Sequence, residues 1–220
     1  MAGTDKSPYN RKEIAKQSPD KGVSVSQTGI RISLDHGPVK GETSGIGFVY
    51  LVIDCSGSMS AYDKLKQAKE RAVDFATEAK SKGYSVGLIK FDDIASHICE
   101  PQKEISILEQ DLRELDAGGT TNMGDAIRLA GRSLKNRGGT LAMLIVTDGM
   151  PNSQEDALVA AREAKKEGID IIAIGTDDAN FAFLKKIASR AELATKVSRA
   201  QLGQAIAEAA KMLPGPGSRP

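Results

Sequence analysis

Tryptophan is absent from this chain, and aromatic residues make up only 4% of it. Surfaces that bind single-stranded nucleic acid stack bases on aromatic rings, and this chain has few to offer. An excess of charge of either sign is missing too: 30 basic residues face 29 acidic ones, for a formal net charge of +1. No global field draws the chain to nucleic acid or to an anionic membrane. Cysteine occurs only as Cys55 and Cys99. Two are too few for a disulfide framework, and reduced thiols in a cytosolic protein are expected. No segment approaches the run of about 20 apolar residues that spans a bilayer. The N-terminus has no apolar stretch of signal-peptide length. We therefore expect a soluble, cytoplasmic protein with neither nucleic-acid nor membrane partners.

What is present suits one globular domain with modest tails. The chain has 220 residues, 40% of them hydrophobic and 27% charged, enough to bury a real core. Residues 1–46 read as a polar N-terminal tail. Within it Val23–Ser26 and Ile30–Leu34 alternate apolar with polar residues and predict a short hairpin or an added sheet edge. Residues 214–220, rich in proline and glycine, read as a frayed C-terminal tail. Between them, residues 47–213 alternate strands and helices. Apolar runs at 47–53, 141–147 and 169–175 are continuous, as in strands buried on both faces of a parallel sheet. Ser85–Phe91 reads as another strand, with 94–99 as an antiparallel edge. The helix predicted over 62–82 carries Leu65, Ala68, Ala72, Phe75, Ala76 and Ala79 at helical spacing. Ser60 and Asp63 fit a capping box at its start, and Gly83 fits its stop. The fold expected is α/β: a three-layer, doubly wound, Rossmann-like sheet, mostly parallel with one antiparallel edge strand.

The first apolar run ends in Asp54-Cys55-Ser56-Gly57-Ser58-Met59. Asp54, Ser56 and Ser58 place three oxygen donors where a strand gives way to a loop. Hard divalent cations are held by such oxygens, with water completing the shell. Only one of the three donors is charged, so the ion is held loosely and still attracts a further carboxylate. Two more oxygen-bearing loops follow, Thr120-Thr121-Asn122 and Thr147-Asp148-Gly149. In open α/β sheets ligands gather beyond the carboxyl ends of the strands, where these loops are expected to meet.

This set resembles the von Willebrand factor A domain and its metal-ion-dependent adhesion site, over about residues 47–213. That pattern is Asp-x-Ser-x-Ser, then a loop threonine, then a strand-end aspartate. Here Asp54, Ser56, Ser58, Thr121 and Asp148 fill all five positions. Thr121 matches because it directly precedes Asn122, and Thr120 is taken to support the loop. The Asp-x-Ser-Gly-Ser-Met form is similar to the intracellular prokaryotic branch of the family. The resemblance implies direct ion contacts from Ser56 and Ser58. Thr121 then binds directly in one state and through water in another. Asp54 and Asp148 act mainly through water and by orienting the hydroxyls. It also implies magnesium as cofactor, with manganese or calcium as alternatives. The open position takes an acidic residue, Asp or Glu, of a partner protein, for which an AAA+ ATPase in a bacterial multiprotein or stress-response system is a candidate. In some members the final helix shifts as the ion exchanges contacts.

Other residues read more plainly. Cys55, turned away from Ser56 by strand alternation, is expected to be buried filler. His97 and Cys99 lie on the edge strand and do not make a zinc site. Asp177 and Asp178 are expected in a solvated loop that caps the next helix. We expect no enzyme: a phosphatase of the haloacid-dehalogenase kind needs a second carboxylate at position 56, where serine stands, and neither His36 nor His97 sits at a site-facing strand end. A metal-dependent hydrolase, or a structural subunit assembling through the N-terminal hairpin, are the alternatives.

Overall fold

Eight-residue apolar runs build the centre of the fold. The structure, a computed structural model, describes residues 46–217 together with the backbone of residues 24–26 and 29–31. In the first of two units, β1 (Ser24–Ser26) pairs antiparallel with β2 (Gly29–Arg31). These strands overlap the segments expected to form a hairpin or an added edge; residues 1–23, 27–28 and 32–45 lie outside the described residues, as do residues 218–220.

The second unit holds a six-stranded sheet in the order β5-β4-β3-β6-β7-β8. Its strands are β3 (Gly47–Asp54), β4 (Tyr84–Phe91), β5 (Ala95–Gln102), β6 (Thr140–Thr147), β7 (Ile169–Thr176) and β8 (Ala194–Val197). Only β5 runs antiparallel, against β4 at one edge. Every residue of β6 is buried, as a strand covered on both faces requires. From β3 the chain winds outward through β4 and β5, then returns to β6 and winds the other way. The reversal falls between β3 and β6, which pair in parallel and so open a crevice at their carboxyl ends.

Helices flank the sheet. One layer holds α1 (Lys64–Ser81), α2 (Ile105–Arg113) and α6 (Leu202–Ala209), with α1 packed on both others. The other holds α3 (Met123–Lys135), α4 (Gln154–Lys166) and α5 (Phe181–Ile187), with α4 packed between its neighbours. Two tyrosines fix the register of β3 on β4. Tyr84 lies opposite Gly47 and Tyr50 opposite Gly87. A Cβ added at either glycine comes within 2.5 Å of the facing ring. Each ring thus fills the space that a side chain there would take.

Local chemistry departs from expectation in three places. Residues 57–63 form 3-10 turns broken by a kink at Ala61 and Tyr62, and α1 begins only at Lys64. The predicted capping box does not form: Asp63 makes no side-chain cap bond, and the Ser60 hydroxyl donates to the Gly57 carbonyl. Tyr62 and Asp63 both take left-handed φ, 56° and 55°. The final helix is broken into 3-10, α and 3-10 pieces. Residues 214–217 are tied down rather than frayed. The Tyr84 hydroxyl donates to the Pro214 carbonyl, and the Gly217 amide donates to Thr140 Oγ1.

Candidate metal centre

Asp54 ends β3 and Asp148 follows β6, so the crevice between these strands is walled by two carboxylates, both buried. Every oxygen of the pair is engaged. The Ser56 amide donates to Asp54 Oδ1 at 2.8 Å, folding the loop back on the strand end. The Thr147 hydroxyl donates to Asp54 Oδ2 at 2.6 Å. The Ser58 hydroxyl donates to Asp148 Oδ1 at 2.7 Å and lies 3.1 Å from Ser56 Oγ. Four of the five expected residues therefore share one hydrogen-bonded network, running from Asp54 in the interior to Ser58 at the surface.

The fifth, Thr121, sits on a loop laced to the others. The Gly57 amide donates to the Gly119 carbonyl, and the Gly118 amide donates to the Cys55 carbonyl. Gly119 has φ of +72°, and a Cβ there would meet the Asp93 carboxylate at 2.7 Å. Only glycine fits so close an approach in that conformation. On the other side, Asn152 clasps the loop: its Oδ1 accepts from the Thr121 amide, and its amide donates to the Thr121 carbonyl. Asn152 Nδ2 donates to Thr120 Oγ1 at 2.8 Å. The Thr120 hydroxyl is thus occupied in supporting the loop. The Thr121 hydroxyl takes no hydrogen bond among the described residues.

Two charged residues that the motif does not name also belong here. Lys64, at the first position of α1, is buried, and its ammonium bonds both Asp148 Oδ2 and Asp177 Oδ2. Asp177 Oδ1 accepts from Arg199 Nε at 2.7 Å. Asp177 is therefore an ion-pair partner at the rim and caps no helix; the cap of α5 is Asn180, whose Oδ1 accepts from the Phe183 amide. A lysine where a helix begins, against the helix dipole, was the available signal.

Electrostatics follow from burial. Desolvation pushes the Asp54 carboxyl up to about 6, although its bonds from Thr147 and Ser56 pull the other way. Burial pulls the Lys64 ammonium down, but its bonds and charge attraction with Asp148 and Asp177 outweigh that and hold it above its ordinary value. Cys55 is wholly buried and its thiol is pushed up to about 12, so it is filler and no ligand. His97 Nε2 pairs with the Tyr50 hydroxyl at 2.7 Å, away from these loops.

Among the described residues, no cluster of three or more His, Cys, Asp or Glu side chains is arranged to hold a metal. A cation here depends on hydroxyls. The donor set fits one: two adjacent serine hydroxyls, an unengaged threonine hydroxyl, and two buried carboxylates, of which only Asp148 is paired with an ammonium. Hard oxygen donors of low total charge suit magnesium and its neighbours better than softer ions.

Comparison with known proteins agrees with the fold. The chain matches the von Willebrand factor type A domain over residues 49–210. A UPF0353 protein of Mycolicibacterium paratuberculosis is 28% identical, over 58% of this chain and 44% of its own length. The chain spans less than half the length of the curated relatives it matches. Among solved structures, the vWF domain of the type V pili tip protein Mfa5 from Porphyromonas gingivalis superposes with a TM-score of 0.68 at 15% identity, covering 76% of this chain and 95% of that one. Proximal thread matrix protein 1 from the mussel byssus, solved with a zinc-occupied MIDAS motif, gives 0.66 at 21% identity, over 79% of this chain and 48% of that one.

Proposed function

The chain belongs to the von Willebrand factor type A family, and from that premise we propose that it is a protein–protein interaction module built around a divalent cation. Ser56, Ser58 and Thr121 hold the cation directly, with Asp54 and Asp148 orienting the hydroxyls and bonding its waters. When bound, the cation supplies a Lewis-acidic position for an Asp or Glu of the partner protein. The observation that carries this reading is the hydrogen-bonded set Asp54–Ser56–Ser58–Asp148 at the point where the strand order reverses. The ion is magnesium, with manganese or calcium as alternatives.

The protein's own residues do three things. Thr147 and the Ser56 amide lock Asp54 so that it cannot swing into solvent. Asn152 and the Gly118–Gly119 turn hold the threonine loop against the serine loop. Beside them a groove of about 870 Å³ runs between α1 and α2, lined in part by Met59, Ser60 and Ala117. Its walls mix apolar Leu65, Val73 and Leu112 with charged Lys66, Glu70 and Glu109. In this reading the hydroxyls of Ser56, Ser58 and Thr121 serve the cation, and no catalytic role is proposed for them.

The bacterial relative supports a bacterial setting, and an AAA+ ATPase-associated or stress-response assembly is the context proposed. No helix of the described residues is long and apolar enough to cross a membrane. A cytoplasmic setting rests on the sequence alone, and cell fractionation tests it.

Calorimetric titration with magnesium, manganese and calcium, with and without acetate or glutamate, tests the site. Ion binding that carboxylate tightens, and that the double variant Asp54→Ala/Ser56→Ala loses, is the expected result. Absence of binding by the unaltered protein up to millimolar ion, even with carboxylate, would overturn the proposal.

A further inference from the structure

Lys64 is the feature that the motif leaves unexplained. Its side chain is 5% exposed, yet an ammonium buried at the first position of a helix opposes the helix dipole. The left-handed pair Tyr62 and Asp63 sets the turn from which Lys64 enters α1. Its ammonium then takes Asp148 Oδ2, leaving Oδ1 to the Ser58 hydroxyl. Asp177 accepts from the same ammonium at 3.0 Å and is itself held by Arg199 at 2.7 Å. The Arg199 guanidinium lies 4.1 Å from the centre of the Tyr62 ring. Lys64 is thus fixed from two sides, and with it the Asp148 carboxylate.

We propose that Lys64 is a positioning residue that sets the ion affinity of this site: its ammonium holds Asp148 in place and keeps one positive charge beside the cation. The inference rests on the reading of the site as a cation site. Two consequences follow from charge alone. A divalent ion binds weakly, because Asp148 is already paired and a like charge stands next to it. A carboxylate ligand is drawn strongly, because the ammonium adds to the ion's field instead of cancelling it. Lys64 thereby makes the site depend on its partner's acid.

The test uses the full chain and three variants. Lys64→Met keeps the length and removes the charge, Lys64→Gln keeps a donor without the charge, and Lys64→Arg keeps the charge. Magnesium affinity is read by calorimetry with and without acetate, and thermal melting is read in EDTA and in magnesium. The Met and Gln variants are expected to bind magnesium about tenfold or more tightly than the unaltered protein, and acetate is expected to tighten their binding less. They melt lower in EDTA, where the buried Asp148 carboxylate has lost its ammonium, and recover more on adding magnesium. Lys64→Arg stays near the original affinity. Should Lys64→Met fail to fold, Lys64→Gln carries the comparison. Unchanged or weaker magnesium binding by a folded, uncharged variant overturns the inference while leaving the cation site intact. No binding by any of the proteins overturns the cation reading itself, and this inference with it.

Discussion

Replacing Thr147 by valine isolates one bond of the site with little change of shape. Thr147 and Asp54 are both 0% exposed, and the hydroxyl donates to Asp54 Oδ2 at 2.6 Å. Hydrogen bonds to a charged group contribute about 1.5–3 kcal/mol, and a buried acceptor stripped of its donor bears the desolvation in full. The loss at pH 8 should therefore be about 2 kcal/mol, or roughly 4–8 °C in melting temperature for a domain of this size. The charge on Asp54 makes the loss depend on pH. Burial pushes the Asp54 carboxyl up to about 6, and the Thr147 bond is among the interactions that keep it from rising further. At pH 5 both proteins carry a protonated Asp54 when folded, so only a neutral hydrogen bond separates them, worth about 1 kcal/mol or less. The weaker bond from the Gly149 amide to Thr147 Oγ1, 3.3 Å long, is lost equally at either pH. Urea unfolding of both proteins in EDTA at pH 5 and pH 8 measures the difference. A variant as stable as the original at pH 8, or one equally weakened at both pH values, would refute the argument that the buried charge makes this bond strong.

The unaltered protein has its own pH signature. Because the folded Asp54 carboxyl is raised to about 6 from an ordinary 3.8, its contribution is fully present below the ordinary value and is lost as pH rises through the folded one. Stability in EDTA should fall by up to about 3 kcal/mol from this group between pH 4 and pH 7. Saturating magnesium should flatten that fall, which denaturant titration across the range would detect; an equally steep fall in magnesium would count against ion binding beside Asp54. Asn152→Ala removes the side-chain half of the clasp on the threonine loop, leaving its backbone bond to Thr121, without touching an ion donor. It should weaken magnesium binding about tenfold while changing the melting temperature in EDTA by only a few degrees, and unchanged affinity would show that Thr121 needs no such support.

Much of the site was legible because its residues are local in sequence. Asp54, Ser56 and Ser58 lie within five positions, and strand periodicity places them at the end of a buried run. Asp148 marks the end of a second such run. The choice between Thr120 and Thr121 rested on resemblance, and the structure adds a physical difference: Asn152 occupies the hydroxyl of the first. Asn152 lies 31 residues from Thr121, and no local pattern points to the pair. Lys64 was passed over, although its place at a helix start was a weak local signal, and Asp177 was read as part of a solvated capping loop. The bonds of Lys64 to Asp177 and to Asp148 span 113 and 84 positions, which no local pattern reveals.

Apolar runs and helical spacing by themselves determined the elements and the α/β class, because burial on one or two faces writes its period into neighbouring residues. They also determined where oxygen donors end each strand. Tertiary structure alone decided the strand order β5-β4-β3-β6-β7-β8, and with it that Asp54 and Asp148 face one crevice. It decided the irregular entry to α1 as well, where Tyr62 and Asp63 adopt left-handed φ in place of the capping box that the residues invite. The attraction that accompanies that turn, one ammonium between Asp148 and Asp177, exists only once three distant segments have packed together.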